Sequence, residues 1–215
     1  MTDRRRRRRR GFYETYVKRP ADIVGAAVGL AVSAPIMLAV AAAIRTTMGR
    51  PVLFRQVRPG MDEKLFTLVK FRTMSEHQAD DNGHDLPDEV RITPAGRVLR
   101  KTSLDELPQM VNVLRGEMSF IGPRPLTTEY LGHYHPEERA RHRVRPGMTG
   151  LAQVSGRADI TTWEERFEYD LKYVENVTFA NDLRILGRTI AVVFAGTGVE
   201  ASDLPDFDVY RREMA

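Results

Sequence analysis

From Ile23 to Ile44 the chain runs 22 residues without a charged side chain. As a helix rising 1.5 Å per residue, this run is about 33 Å long, against a bilayer hydrocarbon core of about 30 Å. Its length exceeds the ~7–15 apolar residues of a secretory signal, so a membrane segment is the expected reading. Basic residues flank it on both sides: Arg4 to Arg10, Lys18 and Arg19 before, then Arg45, Arg50, Arg55 and Arg58 after. Positive charge is retained on the cytoplasmic side, so both ends are expected there. Pro35 sits mid-run, where it removes a helix hydrogen bond and frees the carbonyl of Ala31, with Ser33 near enough to help satisfy it. These features together predict a kinked helix hairpin that enters and leaves the same leaflet.

The net charge of +4 describes only one end of the chain. Lys and Arg number 33; setting aside the seven arginines at 4–10 leaves 26 against 29 acidic residues, a net of −3. An arginine arm suits any polyanion, but beside an apolar segment it most simply holds an anionic leaflet. No nucleic-acid partner is expected, and a membrane module that binds polyanions through this arm is the non-enzymatic alternative. Cysteine is absent, which excludes disulfides and thiolate sites.

Residues 52–71, VLFRQVRPGMDEKLFTLVKF, read as two β-rich runs around the turn Pro59-Gly60-Met61-Asp62, a hairpin. Residues 75–89 are polar and acidic, with Gly83 and Pro87, and predict a surface loop. Thr161 to Glu165 carries overlapping capping signals, after which Trp163, Phe167, Leu171 and Val174 recur at helical spacing. Asp182 opens a further helix with Leu183, Leu186, Ile190 and Val193 on its apolar side and Arg184 and Arg188 elsewhere. That helix suits a membrane surface or a core equally well. The expected fold is α+β and mostly helical, with a re-entrant membrane helix hairpin, a small β-hairpin and amphipathic surface helices. Its expected segments are a basic arm (1–17), a membrane-inserted helix (18–50), a cytoplasmic catalytic domain (51–200) and a polar tail (201–215).

The chemistry concentrates between Lys101 and Pro125, KTSLDELPQMVNVLRGEMSFIGPRP, where Asp105 and Glu106 stand side by side at a helix start. A first helical turn exposes unpaired N–H groups that favour anions, whether carboxylate or phosphate. Ser103 and Glu106 also fit a capping box, a purely structural arrangement. Pro108 argues against it, because with Ser103 as cap the proline would forfeit a helix hydrogen bond. Asp105 as cap resolves this, with Leu107, Val111 and Leu114 as a buried stripe, Gln109 and Asn112 on another face with Asp105, and Gly116 as the stop. The two adjacent carboxylates then point about 100° apart and serve different jobs. Arg124, fixed between Pro123 and Pro125, is the best candidate for bidentate phosphate binding. His133 and His135 lack a third ligand for a metal. Asp206-Phe-Asp208 matches the D-x-D of ordinary glycosyltransferases, a second enzymatic alternative, but lies in what reads as a solvated tail.

These motifs carry a resemblance. Lys18-Arg19 through Asp22, Lys70-Phe-Arg-Thr-Met74, the block from Arg100 to Gln109, Gly122-Pro-Arg-Pro125 and the run Arg145 to Arg157 occur in the order seen in the bacterial sugar transferases. Those are monotopic phosphoglycosyl transferases, which move a sugar phosphate from a nucleotide sugar to a polyprenyl phosphate, and the likeness runs from Lys18 to about Gly198. The resemblance implies a re-entrant membrane helix, with Ala34 here where many relatives have serine before the proline. It implies Asp105 as the nucleophile that forms an aspartyl phosphosugar and releases UMP from a UDP-sugar. Glu106 is expected to hold Mg²⁺ with Asp105 or to orient the acceptor phosphate. Arg100, Arg124 and Arg157, with Lys70 and Arg72, are the expected substrate ligands, and Asp170 matches a further position of the family. The expected setting is the cytoplasmic face of a bacterial inner membrane, with undecaprenyl phosphate as acceptor and exopolysaccharide assembly downstream. The sequence leaves the sugar and the oligomeric state open, a homodimer included.

Overall fold

A computed structural model describes residues 11–75, 88–155, 160, 162–195, 204 and 207–213. The apolar run forms α1, Lys18–Thr47, a single helix of 30 residues with Pro35 inside it. The helical hydrogen bonding therefore runs through Pro35 without a break between two arms. A proline removes one backbone bond, which bends a long helix without having to end it. Ser33 does back-bond, but to the carbonyl of Gly29 at 2.7 Å rather than to Ala31.

Both ends of α1 are fixed to the same body of protein. In its first turn Lys18 pairs with Asp182 at 2.6 Å, Arg19 donates to the carbonyls of Val113 and Leu114, and Asp22 accepts from the Phe120 N–H. At its far end Val40 and Ile44 pack with Phe71 and Leu99, and Arg72 donates to the carbonyls of Met48 and Arg50. Along the outer side Ile23, Val24, Val28, Val32, Ile36 and Leu38 are exposed. Only 11% of the most apolar window of this helix is buried, which rules it out as a core helix.

The expected hairpin forms from β1 (Leu53–Pro59) and β2 (Leu65–Phe71), antiparallel with Leu53 opposite Phe71 and Pro59 opposite Leu65. Two short helices follow, α2 (Asp88–Arg91) and α3 (Pro94–Lys101), the latter capped by Thr93. The loop expected at 75–89 falls mostly outside the described residues. Helix α4 spans Gln109–Arg115 and stops at Gly116, whose φ of 84° is the left-handed value that favours glycine. Its most buried residues are Gln109, Met110, Asn112 and Val113, while Leu107, Val111 and Leu114 are only half-buried, so the expected stripe is rotated. The rotation follows from Asn112, which accepts from the Val69 N–H and donates to the Thr67 carbonyl and to Glu117. One side chain thereby satisfies the open edge of β2 and seats α4 against it.

A second, parallel pair was not foreseen: β3 (Ser119–Ile121) lies beside β4 (Gly147–Thr149). The chains approach so closely that a Cβ on Gly147 would meet the Gly122 nitrogen at 2.2 Å, and one on Gly150 the Gly122 oxygen at 2.2 Å. The glycines of the Gly122-Pro-Arg-Pro and Arg145-to-Arg157 motifs are thus what lets the two segments lock, leaving Arg124 projecting from a fixed base. After α5 (Leu151–Val154), α6 (Trp163–Glu175) begins at Thr162 in a full capping box with Glu165, and α7 (Phe179–Ala195) carries the amphipathic pattern. The tail differs from expectation. Within α8 (Phe207–Glu213), Phe207 is fully buried against Tyr134, Trp163 and Phe167, and Arg211 pairs with Glu138 and Glu164. An aromatic side chain buries up to about 250 Å², enough to draw a polar segment back onto the core.

Candidate active site

Asp105 and Glu106 sit in a single 3-10 turn, Leu104–Glu106, between α3 and α4. The expected helix cap at Asp105 does not form, nor does the Ser103 capping box: no side chain caps this turn, and α4 starts four residues later. Ser103 adopts φ 55°, a left-handed conformation that a serine holds only at some cost, and it turns the chain out of α3. Pro108 then precedes α4, where its missing N–H is harmless.

Asp105 is 5% exposed. Burial, followed by the charge of Glu106, drives its carboxyl up to about 6, against the pull of Lys70, Arg124 and Arg100. These three cations arrive from separate elements: Lys70 from β2, Arg124 from the strap after β3, Arg100 from the last turn of α3. Arg124 pairs with Glu106 at 2.5 Å, and Arg100 donates to the Thr73 hydroxyl at 3.1 Å. Lys70 is pushed below its ordinary value by burial, with its ammonium 5.3 Å from the Phe54 ring centroid.

The remaining expected ligands divide. Pro123 and Pro125 are buried and hold Arg124 in place. Arg72, expected at the substrate, donates to the Met48 and Arg50 carbonyls and so anchors the end of α1, and it lines a cleft together with Lys70. Arg157 lies outside the described residues, as does Asp206, the first carboxylate of the D-x-D. His133 packs edge-on to Phe207, and no group of three or more metal-ligating side chains forms among the described residues.

Behind Arg124 the structure gathers cations that sequence reasoning missed. Asp170, an open candidate, is fully buried and takes a two-nitrogen ion pair from Arg141 at 2.7 and 3.0 Å, while Arg141 also donates to the Arg124 carbonyl. Arg166 lies alongside, and burial lowers it to about 10; Arg58 on β1 is lowered to about 10 by burial and by Arg124. Arg141 and Arg58 had no signal beyond their charge, since their neighbours come from distant parts of the chain. The arrangement is a buried carboxylate with a partly exposed partner, inside a basin of positive charge suited to phosphates.

Comparison with known proteins decides the family. A sequence model of the bacterial sugar transferase family matches residues 13–196. The chain belongs to that family. It is 46% identical over 187 residues to an uncharacterized sugar transferase of Bacillus subtilis, covering 87% of this chain and 92% of that one. It is 43% identical over 184 residues to a UDP-glucose:undecaprenyl-phosphate glucose-1-phosphate transferase of Caulobacter vibrioides, covering 80% of this chain and 68% of the relative. A protein of the same name in Klebsiella pneumoniae is 42% identical over 181 residues, which span 80% of this chain but only 39% of the longer relative.

Proposed function

We propose that the protein transfers a sugar 1-phosphate from a UDP-sugar to undecaprenyl phosphate, as a membrane step of exopolysaccharide assembly. The observation that carries this reading is Asp105, a buried carboxylate ringed by Lys70, Arg100 and Arg124 and neighboured by Glu106. The named activities of its relatives fit such a site.

An oxygen of Asp105 attacks the sugar-linked phosphorus, and the bond from that phosphorus to the bridging oxygen breaks, so UMP leaves. The product is an acyl phosphate carrying the sugar. An oxygen of undecaprenyl phosphate then attacks the same phosphorus, the bond to Asp105 breaks, and the free carboxylate returns. Lys70, Arg100 and Arg124 neutralise the charge spread over the transferring group. Glu106, held by Arg124 beside the nucleophile, orients the acceptor phosphate or a metal. The donor set fits Mg²⁺, which commonly takes one or two carboxylates plus substrate phosphates, and a cation would relieve the repulsion that Glu106 exerts on Asp105. When bound, Mg²⁺ would supply charge neutralisation on the diphosphate.

The proposed setting is one face of a bilayer, the cytoplasmic face of the inner membrane. A helix whose two ends are fixed to one body cannot place them on opposite sides of about 30 Å of hydrocarbon. The exposed side of α1 would therefore insert from one face. Phe179, Leu183, Leu186, Ile190 and Phe194 form an exposed apolar stripe on α7 that would lie in the same interface. Detergent-solubilised protein given UDP-sugar, undecaprenyl phosphate and Mg²⁺ should release UMP. Release of UDP would instead mean direct glycosyl transfer and would refute the reading. Tags before Lys18 and after Arg50 should label from the same side.

A further inference from the structure

A cleft of about 450 Å³ opens beside the dyad, lined by Pro51, Phe54, Met74, Lys70, Thr73 and Arg91 among others. That volume is within the range of ligand clefts. Its wall joins two chemistries. Phe54, Met74 and Pro51 supply an apolar face, whereas Lys70 and Arg91 supply positive charge and Thr73 a hydroxyl.

One end of the cleft reaches the reaction centre. Lys70 acts on Asp105, and the Thr73 hydroxyl accepts from Arg100, which also acts on Asp105. The other end begins where α1 leaves its apolar run: Pro51 follows the Arg50 carbonyl that Arg72 holds. On the far side of Arg124 the surroundings are different. There Arg58 lies in the field of Arg124, Tyr130 and Glu129, and behind them Arg141 and Arg166 are buried, Arg141 paired with Asp170, so that Arg124 and Arg58 present a polar, positively charged surface.

We propose that this cleft is the acceptor site: Lys70 and Arg91 hold the phosphate of polyprenyl phosphate, and Phe54, Met74 and Pro51 carry its first isoprenyl units. The donor diphosphate then occupies the Arg124 and Arg58 side, so the two substrates reach Asp105 from opposite directions. This rests on the phosphoglycosyl transfer proposed above. The cleft begins at Pro51, just past the end of α1, so an amphiphile seated beside that helix would reach Lys70 along its apolar wall.

The two half-reactions separate the outcomes. In a two-step transfer, kcat/KM for each substrate reports its own half-reaction. Full-length Phe54→Ala and Arg91→Gln proteins in detergent should lose tenfold or more in kcat/KM for undecaprenyl phosphate. Their kcat/KM for the UDP-sugar, and the burst of UMP without acceptor, should stay within twofold of the unaltered protein. Loss of the donor parameters with the acceptor parameter intact would overturn the assignment. Phe54 is 38% exposed, so its truncation is tolerated by the fold, and an unchanged thermal midpoint checks this. In a second arm, farnesyl phosphate should compete with undecaprenyl phosphate at least tenfold better than inorganic phosphate does, an advantage that Phe54→Ala removes. Equal competition would show a site for free phosphate only and would also overturn the proposal. Absence of any UMP burst in the unaltered protein sinks the covalent route instead, and the competition arm still decides the cleft.

Discussion

Replacing Asp105 with Asn should make the protein more stable while abolishing its chemistry. The carboxyl rises from 3.8 to about 6 on folding, because burial and Glu106 outweigh the three cations. At 1.36 kcal/mol per pH unit, this corresponds to about 3 kcal/mol. The folded state binds the proton more tightly than the unfolded chain. As pH rises from below 3.8 to above 6, the unfolded chain ionises first and stability falls by that amount. Asparagine does not ionise, so the Asp105→Asn protein escapes the loss. It should match the unaltered protein at acid pH and exceed it by up to about 3 kcal/mol at pH 8, roughly 6–12 °C in a chain of this size. Thermal unfolding in detergent without Mg²⁺, stepped across this range, measures the difference. Added Mg²⁺ should narrow the gap by stabilising only the protein that keeps the carboxylate. An Asp105→Asn protein no more stable at pH 8, or a difference that does not change with pH, would refute the argument that burial strains this carboxyl.

The same carboxyl sets a pH limb for chemistry: the UMP burst should rise with an apparent pKa near 6, and a rate that stays flat down to pH 4 would contradict this. Asp170→Asn leaves Arg141 buried without its ion pair and should cost about 3–5 kcal/mol in thermal or denaturant unfolding, much of it recovered by adding Arg141→Met. Phe207→Ala should cost about 3–5 kcal/mol by opening a cavity among Tyr134, Trp163 and Phe167; an unchanged midpoint would show that α8 is dispensable to the core.

What could be read in the sequence was local. The β1–β2 hairpin follows from two β-rich runs and a Pro-Gly turn, the start of α6 from Thr162 and Glu165, and the end of α4 from Gly116. The start of α4 could not be read, because a left-handed Ser103 and a 3-10 turn displaced the cap by four residues. Nor could the face of α4, since Asn112 serves the edge of a strand more than forty residues earlier. The tail read as polar by composition, yet one phenylalanine was enough to fold it onto an aromatic cluster.

The sequence by itself determined the apolar run, the adjacent carboxylates, the rigid Arg124 between prolines and, through the order of its motifs, the family. Those features depend on residues next to one another, where backbone chemistry and spacing decide the outcome. The tertiary structure alone decided which cations meet at Asp105, how far its carboxyl is driven up, and that Arg72 serves α1 while Arg141 and Asp170 brace the site. Electrostatic energy depends on distance and burial in space, and both arise here from segments far apart in the chain.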